Sequence, residues 1–155
     1  MRFLVFSDAH GSVCHMIKSI DIHPEANAVV YLGDGTYEVA NLKKALDIPV
    51  YTVRGNCDFG SKEKITDFIE YKGHKIMICH GHYFNVKSGT YDLEISAREN
   101  GCDIVLFGHT HIPYTHYRDG LYIMNPGTIS QSPSPTYGIL DITDGGVMTV
   151  IANAI

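Results

Sequence analysis

Five short motifs carry the side chains that could do chemistry: Asp8-x-His10, Gly33-Asp34-Gly35, Gly55-Asn56-Cys57-Asp58, His80-Gly81-His82 and Gly108-His109-Thr110-His111. Each follows a short apolar run, and each offers oxygen or imidazole donors. Together they fit a site for two divalent metals, whose dominant use is activating water against a phosphorus–oxygen bond. Asp8 and His10 stand two apart at a strand end, so both reach one side. Asp34 could bridge two ions through its two oxygens. Alone, it also fits a loop aspartate capping the next helix. Asn56 could bind only through its carbonyl oxygen, and it equally fits a Gly-Asn turn. Asp58 would then accept hydrogen bonds behind the site or shape the turn. His80 fits a ligand or a hydrogen-bonded structural histidine, and His82 could project to the same side. His109 and His111, two apart behind a glycine, are the pair hardest to explain by packing. Neutral imidazole suits Zn, Fe, Mn and Ni, and several imidazoles make Mg a poorer partner.

Residues 2–7 read as a buried strand ending at the first motif. Ser12 as N-cap, followed by Val13, Met16, Ile17 and Ile20, predicts a helix. Residues 28–32 and 50–53 read as strands, with a helix between them marked by Val39, Leu42, Ala45 and Leu46. This βαβαβ pattern predicts parallel strands with right-handed crossovers and a ligand site beyond their carboxyl ends, where Asp8, Asp34 and Asn56 fall. Residues 64–71 and 75–79 read as a hairpin ending at His80. A helix is expected over about 90–100, with Thr90 as cap and Gly101 at its end. Residues 104–107 form another buried strand, and 121–124, 138–142 and 147–151 an antiparallel tail of short strands. Parallel strands first and antiparallel strands later imply two packed mixed sheets with outer helices. Residues 130–135 read as an exposed loop.

The 155 residues, 45% hydrophobic and 19% charged, suit one globular domain spanning 1–155. No segment reaches the ~20 apolar residues of a membrane span, and the N-terminus is no signal peptide, so the cytoplasm is expected. The four cysteines form no CxxC pair. Cys14, Cys79 and Cys102 read as small buried hydrophobes. The net charge of −5, most of which two divalent cations would neutralise, argues against a nucleic-acid binder. His15, His23, His74 and His116 are expected at the surface or in loops.

In order and content the motifs resemble those of the calcineurin-like metallophosphoesterases, which read D-x-H, G-D, G-N-H-[D/E], H and G-H-x-H. The chain looks most like their small single-domain bacterial and archaeal phosphodiesterase branch. The likeness spans residues 3 to about 130 and includes Asn125-Pro126-Gly127. It implies a four-layer α/β/β/α sandwich of two mixed β-sheets flanked by helices. It also implies two metal sites, one of Asp8, His10, Asp34 and His111, the other of Asp34, Asn56, His80 and His109. The family's histidine after the asparagine, the expected proton donor to the leaving oxygen, is here Cys57, with His82 as a stand-in.

The implied reaction is in-line attack on a small phosphate ester by a hydroxide held between the two ions, with no protein nucleophile. Without a strong acid at Cys57, aryl esters and phosphodiesters fit better than alkyl monoesters. Two other readings compete: a non-catalytic metal-binding scaffold, similar in outline to a retromer-type subunit, and a nuclease. A complete ligand set disfavours the first, and the lack of a basic groove disfavours the second. Homo-oligomerisation is left open.

Overall fold

Alternation along the first strand, β1 (Arg2–Phe6), generates the layers. Phe3 and Val5 enter one core while Leu4 and Phe6 enter another, as the two-residue period of a strand requires. All four are fully buried, which is why the run is continuously apolar. The computed structural model describes residues 1–130 and 132–155. In it β1 is the middle strand of a sheet ordered β10 (Gly146–Asn153), β9 (Thr136–Thr143), β1, β2 (Ala28–Tyr31), β3 (Val50–Thr52). β1, β2 and β3 pair in parallel, and β9 runs antiparallel to both β1 and β10.

A second sheet is ordered β4 (Thr66–Tyr71), β5 (His74–Cys79), β6 (Ile104–Leu106), β8 (Leu121–Asn125), β7 (Tyr114–Arg118). Its three middle strands are parallel and its two edges antiparallel. The sheets pack on each other through Phe3, Val5, Val30, Ile76, Ile78 and Leu106. Helices α1 (Cys14–Asp21) and α2 (Thr36–Ala45) cover the first sheet through Met16 and Val39. Helix α3 (Tyr91–Glu99) covers the second through Leu93 and Ala97. The result is the expected four-layer α/β/β/α sandwich of two mixed sheets. Among the described residues no helix is long and apolar enough to cross a membrane.

Several local expectations need correction. The N-cap of α1 is Val13, not Ser12, and no side chain caps that helix. Cys14 is exposed, on a different face of α1 from the buried Met16 and Ser19; Cys79 and Cys102 are buried as expected. The tail is not wholly antiparallel, since β8 pairs in parallel with β6. β7 went unread because it is a polar, largely exposed edge strand with no apolar alternation to signal it. Residues 130–135 are not simply exposed: Pro135 is buried, and Gln131 lies outside the described residues. His74 is half-buried within β5 and bonded to Asp103, whereas His23 lies in a loop as expected, bonded to the Tyr137 hydroxyl.

Arg2 and Asp141 stand opposite each other on β1 and β9. The Arg2 Nε donates to Asp141 Oδ1 at 2.9 Å and its Nη2 to Oδ2 at 2.7 Å. This contact outweighs partial burial and holds the Asp141 carboxyl below its usual range. Its stabilisation is therefore fully present above the unfolded carboxyl pKa of about 3.9 and is lost as pH falls through the lower folded value. Arg2→Met should cost about 1 kcal/mol at neutral pH and much less below about pH 3, read by urea unfolding. An equal cost at both pH values would show that the Asp141 contact does not carry the effect.

Candidate metal centre

Five strand ends converge at one edge of the sandwich. Asp8, Asp34, Asn56, His80 and His109 lie just beyond β1, β2, β3, β5 and β6. Backbone bonds lock the loops together: Asp8 N–H donates to Gly33 O, His10 N–H to Asp34 O, and Gly108 N–H to His80 O. Among the described residues eight non-glycine residues have positive φ, and five of them are Asp8, His10, Asp34, His109 and His111. Such conformations are uncommon and persist where surrounding structure imposes them, often at functional sites.

Two groups of donors form around a pair of buried carboxylates. Asp8 is fully buried, and its Oδ2 accepts the His109 N–H at 3.1 Å. Its Oδ1 has no hydrogen bond and lies 3.1 Å from His111 Nε2, 3.8 Å from His10 Nε2 and 3.9 Å from His80 Nε2. The Nε2 atoms of His10 and His111 are 3.2 Å apart. On the other side His80 Nδ1 is 2.8 Å from Leu32 O, which can only accept, so Nδ1 carries the proton. His80 Nε2 then faces Asn56 Oδ1 at 3.1 Å, His109 Nδ1 at 3.2 Å and Asp34 Oδ2 at 3.4 Å. Asp34 Oδ2 is also 3.9 Å from His10 Nε2, so this oxygen sits between the two groups. So many converging lone pairs need protons or cations among them, and the hard–borderline O/N mixture suits divalent transition metals. Asp8, His10 and His111 present donor atoms close enough to hold one ion, as do Asp8, Asp34 and His80.

Charge within the cluster shifts its protonation. Burial opposes ionisation of Asp34, but His80 and the Cys57 N–H outweigh it and hold the carboxyl well below the usual range. Burial likewise opposes charging of His80, and Asp34 and Asp8 outweigh it, raising its pKa. His111 is raised chiefly by Asp8. His109 is pushed down to about 4 by burial and then by the charges of His80 and Lys87.

Asp34 does not cap α2. Its Oδ1 accepts the Cys57 N–H at 2.8 Å. The cap comes from Asp58, whose Oδ1 accepts the N–H groups of Gly35 and Thr36 at 2.8 and 2.9 Å. Asp58 Oδ2 accepts those of Asp34 and Gly55, both at 2.7 Å. Four backbone donors therefore occupy the buried Asp58 carboxylate, and their combined pull outweighs burial and lowers its pKa. Glycines permit the close approach: a Cβ on Gly55 would lie 2.0 Å from Asp34 Oδ1 and one on Gly108 2.0 Å from Ser7 Oγ.

Cys57 and His82 flank the cluster. The Cys57 Sγ accepts from Asn56 Nδ2 at 3.3 Å, and burial followed by Asp34 raises its thiol pKa. The His82 ring lies in a 3₁₀ turn, His82–Phe84, 5.4 Å from the His80 ring and 6.1 Å from the His109 ring between centroids. Burial, then His80, lowers its pKa, and its Nδ1 is buried without a partner. Three supports escaped the sequence reading. The Tyr31 hydroxyl donates to Asp34 O and accepts from Ala9 N–H, and Thr128 Oγ1 donates to Asp8 O. Asn125 Nδ2 donates to Gly108 O and Thr110 Oγ1, a role its turn motif alone did not reveal.

Comparison with known proteins identifies the family. The model of the calcineurin-like phosphoesterase superfamily domain matches residues 1–145. YsnB of Bacillus subtilis (strain 168), a probable metallophosphoesterase, is 32% identical over 129 residues, covering 83% of this chain and 75% of that protein. The phosphodiesterase YfcE of Escherichia coli (strain K12) is 27% identical over 179 residues, covering 98% and 92%. Vps29 of Entamoeba histolytica, solved in complex with zinc, has the same fold with a TM-score of 0.78 at 23% identity over 99% of each chain. A family match over nearly the whole length, on a fold whose strand ends gather carboxylates and imidazoles, makes this chain a member of the calcineurin-like phosphoesterase superfamily.

Proposed function

We propose that this chain, as one domain over residues 1–155, is a dinuclear-metal-dependent phosphodiesterase hydrolysing small phosphate esters by in-line displacement. The observation that carries the reading is Asp8 Oδ1, buried, without a hydrogen bond, and ringed by the nitrogens of His10, His80 and His111. Asp8, His10, Asp34 and His111 would hold one divalent cation, and Asp34, Asn56, His80 and His109 the other. Mn, Ni, Fe or Zn suits these donors better than Mg. Such a pair supplies Lewis acidity toward phosphoryl oxygens and generates hydroxide from water near neutral pH. The chain's own groups set the stage. Leu32 O fixes the His80 tautomer, and the Nδ2 contact with Cys57 turns the Asn56 carbonyl oxygen inward. Asp58 positions the Asp34 and Asn56 loops through its four backbone N–H partners. Cys57 is read as the donor of a proton to the leaving oxygen, with His82, whose ring is 6.1 Å from that of His109, as its stand-in. Four free thiols fit a cytoplasmic enzyme.

Elemental analysis after reconstitution should find close to two ions per chain. Asp34→Asn should weaken both sites and abolish most turnover of an aryl phosphodiester, whereas Asp8→Asn should mainly weaken one. Wild-type stoichiometry and turnover in Asp34→Asn would refute the bridging role. A protein holding two ions yet inert toward a panel of mono- and diesters would instead support the scaffold reading.

Asp58→Ala should lower stability by about 2–4 kcal/mol, since one charged acceptor serves a helix N-terminus and two loops. Cation affinity should fall with it. A loss of kcat at unchanged stability and affinity would mean that Asp58 acts on substrate.

A well-placed general acid is worth about 10²–10⁴-fold. Cys57→His should therefore favour poor leaving groups, though by far less than that range, because a newly introduced ring lacks the placement of a native acid. His82→Ala should hurt poor leaving groups more than good ones if His82 donates. A Brønsted series with one slope for wild type and both variants would show that neither position gives a proton.

A further inference from the structure

The chain has four arginines, Arg2, Arg54, Arg98 and Arg118. Three have their guanidinium groups engaged: Arg2 by Asp141 and Glu25, Arg98 by the carbonyls of Arg118 and Asp119, and Arg118 by Glu94. Among the described residues the Arg54 guanidinium has neither a hydrogen bond nor an ion pair. It lines a cavity of about 280 Å³ together with Asn56, Asp58, Phe59, His82 and Tyr83. Asp58 cannot serve as its partner, because four backbone N–H groups fill that carboxylate. The cavity opens directly beside the proposed ligand Asn56.

Two aromatic rings share this cavity, and both face solvent: Phe59 is 82% exposed and Tyr83 68%. The Phe59 backbone and the Tyr83 ring are both held by neighbours. The Phe59 carbonyl accepts from the Tyr37 hydroxyl at 2.7 Å and its N–H donates to Cys57 O at 3.0 Å. The Tyr83 ring packs on His82 with centroids 4.6 Å apart. Exposed aromatic rings offer flat apolar area with only two side-chain torsions to fix, and a free guanidinium binds phosphate or carboxylate through paired N–H groups.

We propose that this cavity is the subsite for the ester arm that is not hydrolysed, and that it selects an arm bearing both a planar ring and a second anionic group, as in a 3′-phosphorylated nucleoside 5′-ester. Arg54 binds the second anion, and Phe59 and Tyr83 take the ring. The proposal rests on the phosphodiesterase reading for its scissile group, but its ligand contacts can be measured without turnover.

The test compares two p-nitrophenyl esters that differ in one phosphate: thymidine 5′-(p-nitrophenyl phosphate), with and without a 3′-phosphate. In wild type the 3′-phosphorylated ester should have a kcat/KM at least about tenfold higher, the size of one good charge-assisted contact. Arg54→Gln should bring that ratio close to one, and Arg54→Lys should restore part of it. Phe59→Ser with Tyr83→Ser should lower the preference for the thymidine esters over methyl p-nitrophenyl phosphate. Calorimetry with thymidine 3′,5′-bisphosphate on the metal-loaded protein gives a second readout, expected to weaken about tenfold in Arg54→Gln. Turnover of the methyl ester with a ratio of one in wild type would overturn the subsite and leave the phosphodiesterase reading standing. No turnover of any ester, with bisphosphate binding lost in Arg54→Gln, would overturn that reading and support the subsite. Bisphosphate binding that is absent, or indifferent to Arg54, would overturn the subsite.

Discussion

Two carboxylates buried side by side are the constraint around which this molecule is organised. Asp8 and Asp34 lie at the mouth of the seam between the sheets, 0% and 3% exposed. Burying unpaired charge is costly, and each carboxylate must find positive partners or hydrogen-bond donors. The fold provides both, from different elements. Backbone N–H groups of His109 and Cys57 bind one oxygen of each. Imidazoles from the ends of β1, β5 and β6 surround the others. No single element could supply these contacts. The two-sheet architecture brings five strand ends to one point, and that convergence makes the cluster possible.

The backbone accepts strain to complete it. Five residues of the cluster hold positive φ, and two glycine positions allow chain segments to approach more closely than any Cβ would permit. Conformations of this kind cost of order 1–3 kcal/mol each for residues with side chains, so other interactions must over-determine them. Asp58 is the clearest of these. By accepting from Asp34, Gly35, Thr36 and Gly55 it joins the loop after β2, the start of α2 and the loop after β3 into one unit. Tyr31 and Thr128 do the same for the backbone carbonyls of Asp34 and Asp8.

The sequence made the strands and the cluster legible for the same reason: both depend on short-range patterns. A short apolar run such as Phe3–Phe6, rich in aromatic and branched residues, reads as a strand covered on both faces, and a polar motif after it then sits at the strand's end. The supports were less legible because they depend on pairing across the chain. Nothing local to Tyr31 shows that its hydroxyl will reach back to Ala9, and nothing near Asp58 shows that it, rather than Asp34, will cap α2. β7 escaped because an exposed edge strand has no apolar period to display. Cys14 misled for a related reason: cysteine content suggests burial, whereas exposure is decided by the face of α1 on which it falls.

The balance of contacts also separates what holds the fold from what performs chemistry. The inter-sheet core and both helix-facing cores are apolar and complete without any ligand. The cluster at their edge is different: Asp8 Oδ1 lacks a partner, and His80 Nε2 faces a carbonyl oxygen, a ring nitrogen and a carboxylate. A site left frustrated in this way adds little to stability by itself and gains much from any cation that satisfies it. The chain can carry that frustration because the apolar layers beneath it are closed. The same layers could carry an inert version of the site equally well, so the fold alone does not decide between enzyme and scaffold. What favours the enzyme here is chemical detail at the strand ends: two acidic and four imidazole side chains that converge, an asparagine amide in contact with its neighbouring thiol, and an arginine lining the adjoining cavity.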